Sequence, residues 1–122
     1  MTALLLVCGC AVTCGRRAGD ITATWAIEPT PPAAGAVTLV RVLLRHPDGS
    51  AVRGADLTIE GHMSHPGMTP VVAGLVERGA GSYEGRMQLS MPGDWVFVVS
   101  GTLVDGRRLT KDVAVPSVRP AR

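Results

Sequence analysis

The chain has 122 residues, which suits one domain with a core of modest size. Lys and Arg together number 12 against 10 for Asp and Glu, and no basic run is interleaved with aromatic residues, so the sequence argues against a nucleic-acid partner. Hydrophobic residues make up 46% of the chain and charged residues 18%, which argues against disorder over most of its length.

Residues 1–12 form an almost wholly apolar segment that is typical of a targeting sequence. It is too short to cross a bilayer, which takes about 20 apolar residues, but it has the length of a signal-peptide core. Gly9-Cys10 within it is similar to the processing site of bacterial lipoproteins. We therefore expect lipidation at Cys10 and an extracytoplasmic protein, in the periplasm or cell envelope, that is anchored to the membrane by its lipid. The alternative for this segment is a buried N-terminal strand.

The predicted organisation places the signal and lipidation segment at residues 1–14 and a polar linker at 15–20. The folded domain is expected over residues 21–116, followed by a tail at 117–122. All three cysteines of the chain lie in the first of these segments, so no disulfide framework crosses the domain.

Turn signals separate seven apolar-rich segments, and none of these segments has helical periodicity. The predicted strands are residues 21–28, 36–45, 52–61, 71–78, 82–91, 95–104 and 109–115. Short strands at this spacing predict an all-β fold, an immunoglobulin-like antiparallel β-sandwich of about seven strands. The residues expected in the core or at its border are Trp25, Leu43, Leu57, Tyr83, Leu89 and Phe97.

One segment departs from this pattern, the loop from residue 61 to residue 70. It holds His62, Met63, His65 and Met68, whose imidazole and thioether groups are borderline and soft metal ligands. Methionine remains a ligand in an oxidising compartment, where a thiol would be consumed. The loop therefore predicts a copper site, and both Cu(I) and Cu(II) remain open.

Counting strands adds Met91 to this set. If residues 71–78 and 82–91 are antiparallel neighbours, the chain leaves the loop and returns to it, so Met91 lies at the same end of the sandwich. The same count places His46 at the opposite end, and strand alternation places Met87 in the core. The predicted metal ligands are His62, Met63, His65, Met68 and Met91.

The sequence offers no constellation of residues for catalysis. Its carboxylates are scattered over turns and outward strand positions, without a close pair for acid–base chemistry. The serines have no accompanying histidine and carboxylate, and there is no glycine-rich phosphate loop. We therefore do not expect an enzyme.

The order and spacing of five segments resemble the YtkA-like family and the related FixH-like proteins. The segments are residues 31–43, 48–55, 62–68, 79–83 and 91–95. A Gly-x-Tyr followed by Met-Pro-Gly-x-Trp is the most specific part, and the resemblance extends over residues 24–104. It implies a small extracytoplasmic β-sandwich, often a lipoprotein, with a link to copper handling and cytochrome oxidase assembly.

The resemblance also implies a site and a partner. His62, Met63, His65 and Met68 match the Met/His loop of the family, and Met91 matches the methionine before its Pro-Gly turn. The implied partner is a membrane protein, either a copper exporter or an oxidase assembly factor. Two other functions fit the sequence: a metal-free adaptor whose exposed loop contacts a partner protein, and a structural domain of a larger envelope complex.

Overall fold

The computed structural model describes residues 20–63 and 68–120, which form eight β-strands and no helix. The strands are β1 (Thr22–Glu28), β2 (Val37–Arg45), β3 (Asp56–Met63), β4 (Val71–Gly74), β5 (Val76–Gly79), β6 (Ser82–Gln88), β7 (Gly93–Thr102) and β8 (Arg108–Val118). They form two four-stranded sheets with the orders β1-β2-β6-β5 and β4-β3-β7-β8, and all neighbouring strands are antiparallel. The predicted all-β antiparallel sandwich is confirmed.

One predicted strand, residues 71–78, divides in two because the chain passes from one sheet to the other at Leu75. β4 pairs with β3 and β5 pairs with β6, while the Leu75 N–H donates to the Leu57 carbonyl oxygen at 3.1 Å. A Cβ at Gly85 of β6 would lie 2.7 Å from Leu75 Cδ2. Glycine at this position therefore lets the crossing segment lie against β6, and the described chain has eight strands where the sequence predicted about seven.

The inward-facing residues of both sheets form one core. Leu57, Tyr83, Leu89 and Phe97 are buried in it, and Trp25 packs against it while half-buried. These five core predictions are confirmed. Strand alternation locates four of them because they have polar or small neighbours in the sequence, whereas Phe97 lies between Val96 and Val98.

The core prediction for Leu43 is wrong. β2 turns Val40, Val42 and Leu44 inward, so Leu43 lies half-buried on the outer face of the sheet. Arg41 and Arg45 share the Leu43 face and mark it as the outer one, but the apolar residues Val37 and Leu39 on the same face obscure this signal.

The two ends of the sandwich carry different connections. The β1–β2, β3–β4 and β6–β7 connections share one end, called the loop end below, where the Gly35 N–H donates to the Leu89 carbonyl oxygen at 2.8 Å. The opposite end carries the β2–β3 connection and the β7–β8 hairpin. Asp56, where β3 begins, pairs with Thr102, where β7 ends, so these two connections lie at the same end.

The predicted targeting segment, including Cys10, and the predicted linker up to residue 19 lie outside the described residues. At the other terminus β8 continues to Val118, beyond the predicted strand end at Val115 and into the predicted tail. No helix long and apolar enough to cross a membrane occurs in residues 20–63 and 68–120.

Candidate functional site at the loop end

β3 carries His62 and Met63 to the loop end on opposite faces of its sheet. Met63 pairs with Trp95 of β7 and continues the inward-facing row of β3. His62 pairs with Val96 and continues the outward-facing row. Because successive strand residues point to opposite faces, the two side chains leave β3 in different directions.

Met63 is half-buried, with its methyl group over the turn that opens β7. A Cβ built on Gly93 would lie 2.8 Å from Met63 Cε. Gly93 has a φ of 128°, a conformation that favours glycine, so one residue provides both the turn and the space for the methionine. The Met63 thioether therefore lies at the margin of the core, beside the β6–β7 connection.

Met91 lies in that connection, directly before Pro92-Gly93. Its carbonyl oxygen accepts a hydrogen bond from Trp95 Nε1 at 3.0 Å, and Met91 is 43% exposed. Since Trp95 pairs with Met63 in the β3–β7 ladder, this bond holds the Met91 backbone at the loop end. The expectation that Met91 shares an end of the sandwich with the Met/His loop is confirmed.

Met68 and His65 belong to the connection between β3 and β4. Met68 is half-buried and lies shortly before β4, whose Val71 pairs with Gly61. This pairing sets Met63 and Met68 on the two arms of one hairpin at the loop end. His65 lies outside the described residues.

On the outer face, His62 is paired with a carboxylate. Its Nε2 lies 2.8 Å from Glu60 Oε1, two residues earlier on the same strand face, and both side chains are partly exposed. When Nε2 carries the proton and its N–H donates a hydrogen bond to Glu60 Oε1, the neutral ring is held in the tautomer that leaves Nδ1 as the acceptor.

A shallow groove of about 330 Å³ begins at His62 and crosses the ends of β3, β7 and β8. Its other lining residues are Met63, Asp94, Trp95, Val96, Ala114 and Pro116. Val96 is 40% exposed, and the ionisable groups of the lining are His62 and Asp94. The groove is therefore a mostly apolar surface that includes Met63.

The two residues excluded from the predicted site lie where the sequence placed them. His46 is at the opposite end, where its N–H donates to the Ser50 carbonyl oxygen at 2.8 Å. Met87 is buried, and its methyl group would lie 3.1 Å from a Cβ at Gly61. Both placements are confirmed, and Met87 becomes a natural control for the three methionines near the surface.

Within residues 20–63 and 68–120, oxygen and nitrogen donors alone do not assemble a metal centre. No three His, Cys, Asp or Glu side chains are grouped suitably for a metal ion among the residues whose structure is described. A centre at the loop end would draw on thioether sulfur from Met63, Met68 and Met91. Such a donor set suits Cu(I), whereas calcium and magnesium require oxygen ligands.

The sequence analysis did not identify two residues that position the candidate ligands, Glu60 beside His62 and Trp95 beside Met91. The spacing of Glu60 and His62 was a signal for their contact, because residues two apart share a strand face. The bond from Trp95 to the Met91 carbonyl oxygen had no such signal, since it depends on the conformation of the turn between them.

Comparison with solved structures identifies the fold class. The filamin domain of Lin-41 is similar, with a TM-score of 0.55 and 17% identity, over 89% of this chain and 99% of that domain. This likeness concerns the fold alone, and it confirms the immunoglobulin-like sandwich. An engineered protein also matches, with a TM-score of 0.48 and 25% identity, over 83% of this chain and 20% of its own.

Comparison of the sequence gives the family. The family model described as YtkA-like matches residues 18–100, which is more than half of the chain. The chain therefore belongs to the YtkA-like family, and the resemblance found in the sequence is confirmed. None of the curated proteins matches it.

Proposed function

We propose that this YtkA-like domain is a copper-binding module without catalytic activity, and that it holds Cu(I) at the loop end. One observation carries the proposal: the Met63 methyl group lies over Gly93, two residues after the exposed Met91. The hairpin partner Met68 completes the sulfur set. These thioethers are packed enough to be positioned and open enough to be reached by an ion.

Imidazole would complete the coordination. His65 lies in the same connection as Met68, and His62 starts from the outer face with its Nε2 at Glu60. Metal-bound histidines commonly donate their second ring N–H to a carboxylate, which orients the ring and fixes its tautomer. In this proposal His65 supplies imidazole beside the sulfur set, while Glu60 orients His62, which leaves β3 on the face opposite Met63 and would offer Nδ1 around the end of the strand.

Competition of the protein with a Cu(I) chelator tests the site. The double variant Met63→Leu/Met68→Leu keeps the apolar volume and removes two sulfur ligands, so we expect copper affinity to fall by at least about tenfold. Met87→Leu is the matched control, because it removes a buried thioether that lies outside the proposed site. Equal affinities for the wild type and the double variant, or an equal loss in the Met87 control, would contradict the proposal.

We further propose that the protein is exported and anchored to the cell envelope through a lipid on Cys10. The support is the apolar segment that contains Gly9-Cys10. Copper would then pass between this domain and a membrane protein, either an exporter or an oxidase assembly factor. Mass spectrometry of the mature N-terminus provides the test, and a chain that retains Met1 and an unmodified Cys10 would refute the anchor.

A metal-free adaptor is the second candidate, and the apolar groove beside His62 favours it. An adaptor would bind its partner protein equally well with and without copper, and Val96→Asp in the groove would abolish binding. A copper-delivery module would instead show copper-dependent binding that the Met63→Leu/Met68→Leu variant loses. The same binding assay therefore separates the two functions.

A further inference from the structure

The sandwich has two sheets and therefore four edge strands, and three of these edges are protected against pairing. β4 and β5 have only 4 residues each, and the pairing of β5 with β6 is interrupted by a register shift. β8 carries Lys111 in its inward-facing row, and Pro116 lies near its end. Short strands, irregular register, inward charges and proline are the usual means of blocking an edge.

β1 lacks these protections within its 7 residues, and Pro29 follows directly after its end. It has 7 residues, Thr22 to Glu28, that pair with β2 without a register shift, and its only charge is at the last position. No strand of the described chain pairs with its other side. Its inward residues Ala23, Trp25 and Ile27 remain half-buried.

The direction of the free backbone groups follows from β2. The Leu44 N–H donates to the Gly81 carbonyl oxygen, and the Leu44 carbonyl oxygen accepts from the Val52 N–H. The backbone N–H and C=O groups of Leu44 therefore point away from β1. Because backbone groups alternate in direction along a strand, the N–H and C=O groups of Leu43 and Arg41 point toward β1, where these residues pair with Thr24 and Ala26. The N–H and C=O groups of the alternate β1 residues, Ala23, Trp25 and Ile27, therefore face outward along the edge, where the Ile27 carbonyl oxygen also accepts a hydrogen bond from Thr30 Oγ1.

We propose that β1 is a dimerisation edge, on which a second copy of this chain adds its own β1 antiparallel about a two-fold axis at Trp25. In this register all 7 residues of each strand overlap, and inward residues meet inward residues. Trp25 faces the partner's Trp25, and Ala23 faces the partner's Ile27. The outward N–H and C=O groups then pair across the axis, and one contact removes both unprotected edges.

Charge complementarity selects this register and this occupant. Thr22 pairs with Arg45 of β2 on the outer face. The register places the partner's Glu28 on the other side of Thr22, in the same row, so a carboxylate and a guanidinium flank one threonine. The two-fold axis repeats the pair. This surface does not depend on the copper proposal, because it lies on a different strand from the methionines.

Analytical ultracentrifugation of the full 122-residue chain under reducing conditions measures the dimer. We expect a monomer–dimer equilibrium whose dissociation constant rises at least about tenfold with Ala23→Pro, which removes an outward N–H and leaves the ladder with β2 intact. Ala114→Pro on the β8 edge is the matched control. The Leu103 N–H donates to the Arg107 carbonyl oxygen, so the backbone groups of Arg107 and of every second residue after it in β8 face β7. The N–H of Ala114 therefore points outward, as that of Ala23 does, and Ala114→Pro should not affect the dimer.

Charge exchange tests the register itself. Glu28→Arg and Arg45→Glu should each weaken the dimer about three- to tenfold, and the double exchange should restore it. Circular dichroism establishes that each variant is folded. A chain that stays monomeric at all concentrations, as it would if residues 1–19 or another protein covered the edge, overturns the proposal. So does a dimer that is indifferent to Ala23→Pro, or that the double exchange does not restore.

Discussion

The Tyr83 hydroxyl ties together the end of the sandwich opposite the methionines, and its removal should destabilise the fold. Tyr83 is buried, its hydroxyl donates to the Val52 carbonyl oxygen at 2.7 Å, and it accepts from the Ala55 N–H at 3.1 Å. Burial raises the pKa of Tyr83, so the neutral donor form prevails over the ordinary pH range. Tyr83→Phe removes both bonds with little change in shape.

The cost follows from what stays behind. Each bond contributes about 1 kcal/mol net, and the two backbone groups lose their partner in a site that water reaches poorly. We therefore expect the free energy of unfolding to fall by about 2 to 3 kcal/mol, which lowers Tm by roughly 10 to 20 °C for a domain of this size.

Urea unfolding followed by the fluorescence of Trp25 and Trp95 measures the effect, and Thr38→Val is the control. The Thr38 hydroxyl is buried and has no hydrogen-bond partner among the described atoms. Its replacement by a methyl group should leave the free energy of unfolding unchanged or raise it by about 1 kcal/mol. If Tyr83→Phe costs no more than Thr38→Val, the reasoning about the paired hydroxyl is refuted.

Two further predictions concern the same scaffold. The backbone N–H groups of Gly54 and Gly81 hold the pKa of Glu77 below its usual range. Glu77 therefore stabilises the fold at pH values above its unfolded-state pKa, and this stabilisation is lost as pH falls through its folded-state pKa. The difference in urea midpoint between wild type and Glu77→Gln should shrink from pH 7 toward pH 3, and a constant difference would contradict this reasoning. Gly101→Ala should destabilise by about 1 to 3 kcal/mol because its Cβ would lie 1.9 Å from the Asp56 carbonyl oxygen, whereas Gly74→Ala, with no atom within 4 Å, should be tolerated; equal thermal shifts would count against the geometry.

The fold was largely predictable because alternation and turn residues carry the needed information. Ser82 to Leu89 alternates clearly, and Tyr83, Met87 and Leu89 are buried as expected. Leu43 of β2 was assigned to the core because apolar residues occur on both faces of this strand, although Arg41 and Arg45 mark the Leu43 face as the outer one. The sheet crossing at Leu75 was invisible for a related reason: it depends on the space above Gly85, a residue of another strand.

The candidate site was predictable in its residue types and its place, but not in its geometry. Strand order correctly brought Met91 to the end that holds Met63. The sequence grouped His62 with Met63 because they are adjacent, yet adjacency on a strand separates side chains to opposite faces. The part of Glu60 as a partner of His62 emerges only when the strand is extended as far as Met63.

X-ray absorption at the copper edge of the Cu(I)-loaded protein is the sharpest test of a copper site at the loop end, because it reports which atoms surround the ion. We expect scattering from thioether sulfur that Met63→Leu/Met68→Leu greatly reduces and Met87→Leu leaves unchanged. A spectrum with only nitrogen and oxygen neighbours, or sulfur scattering that persists unaltered in the double variant, would contradict a copper site at the loop end.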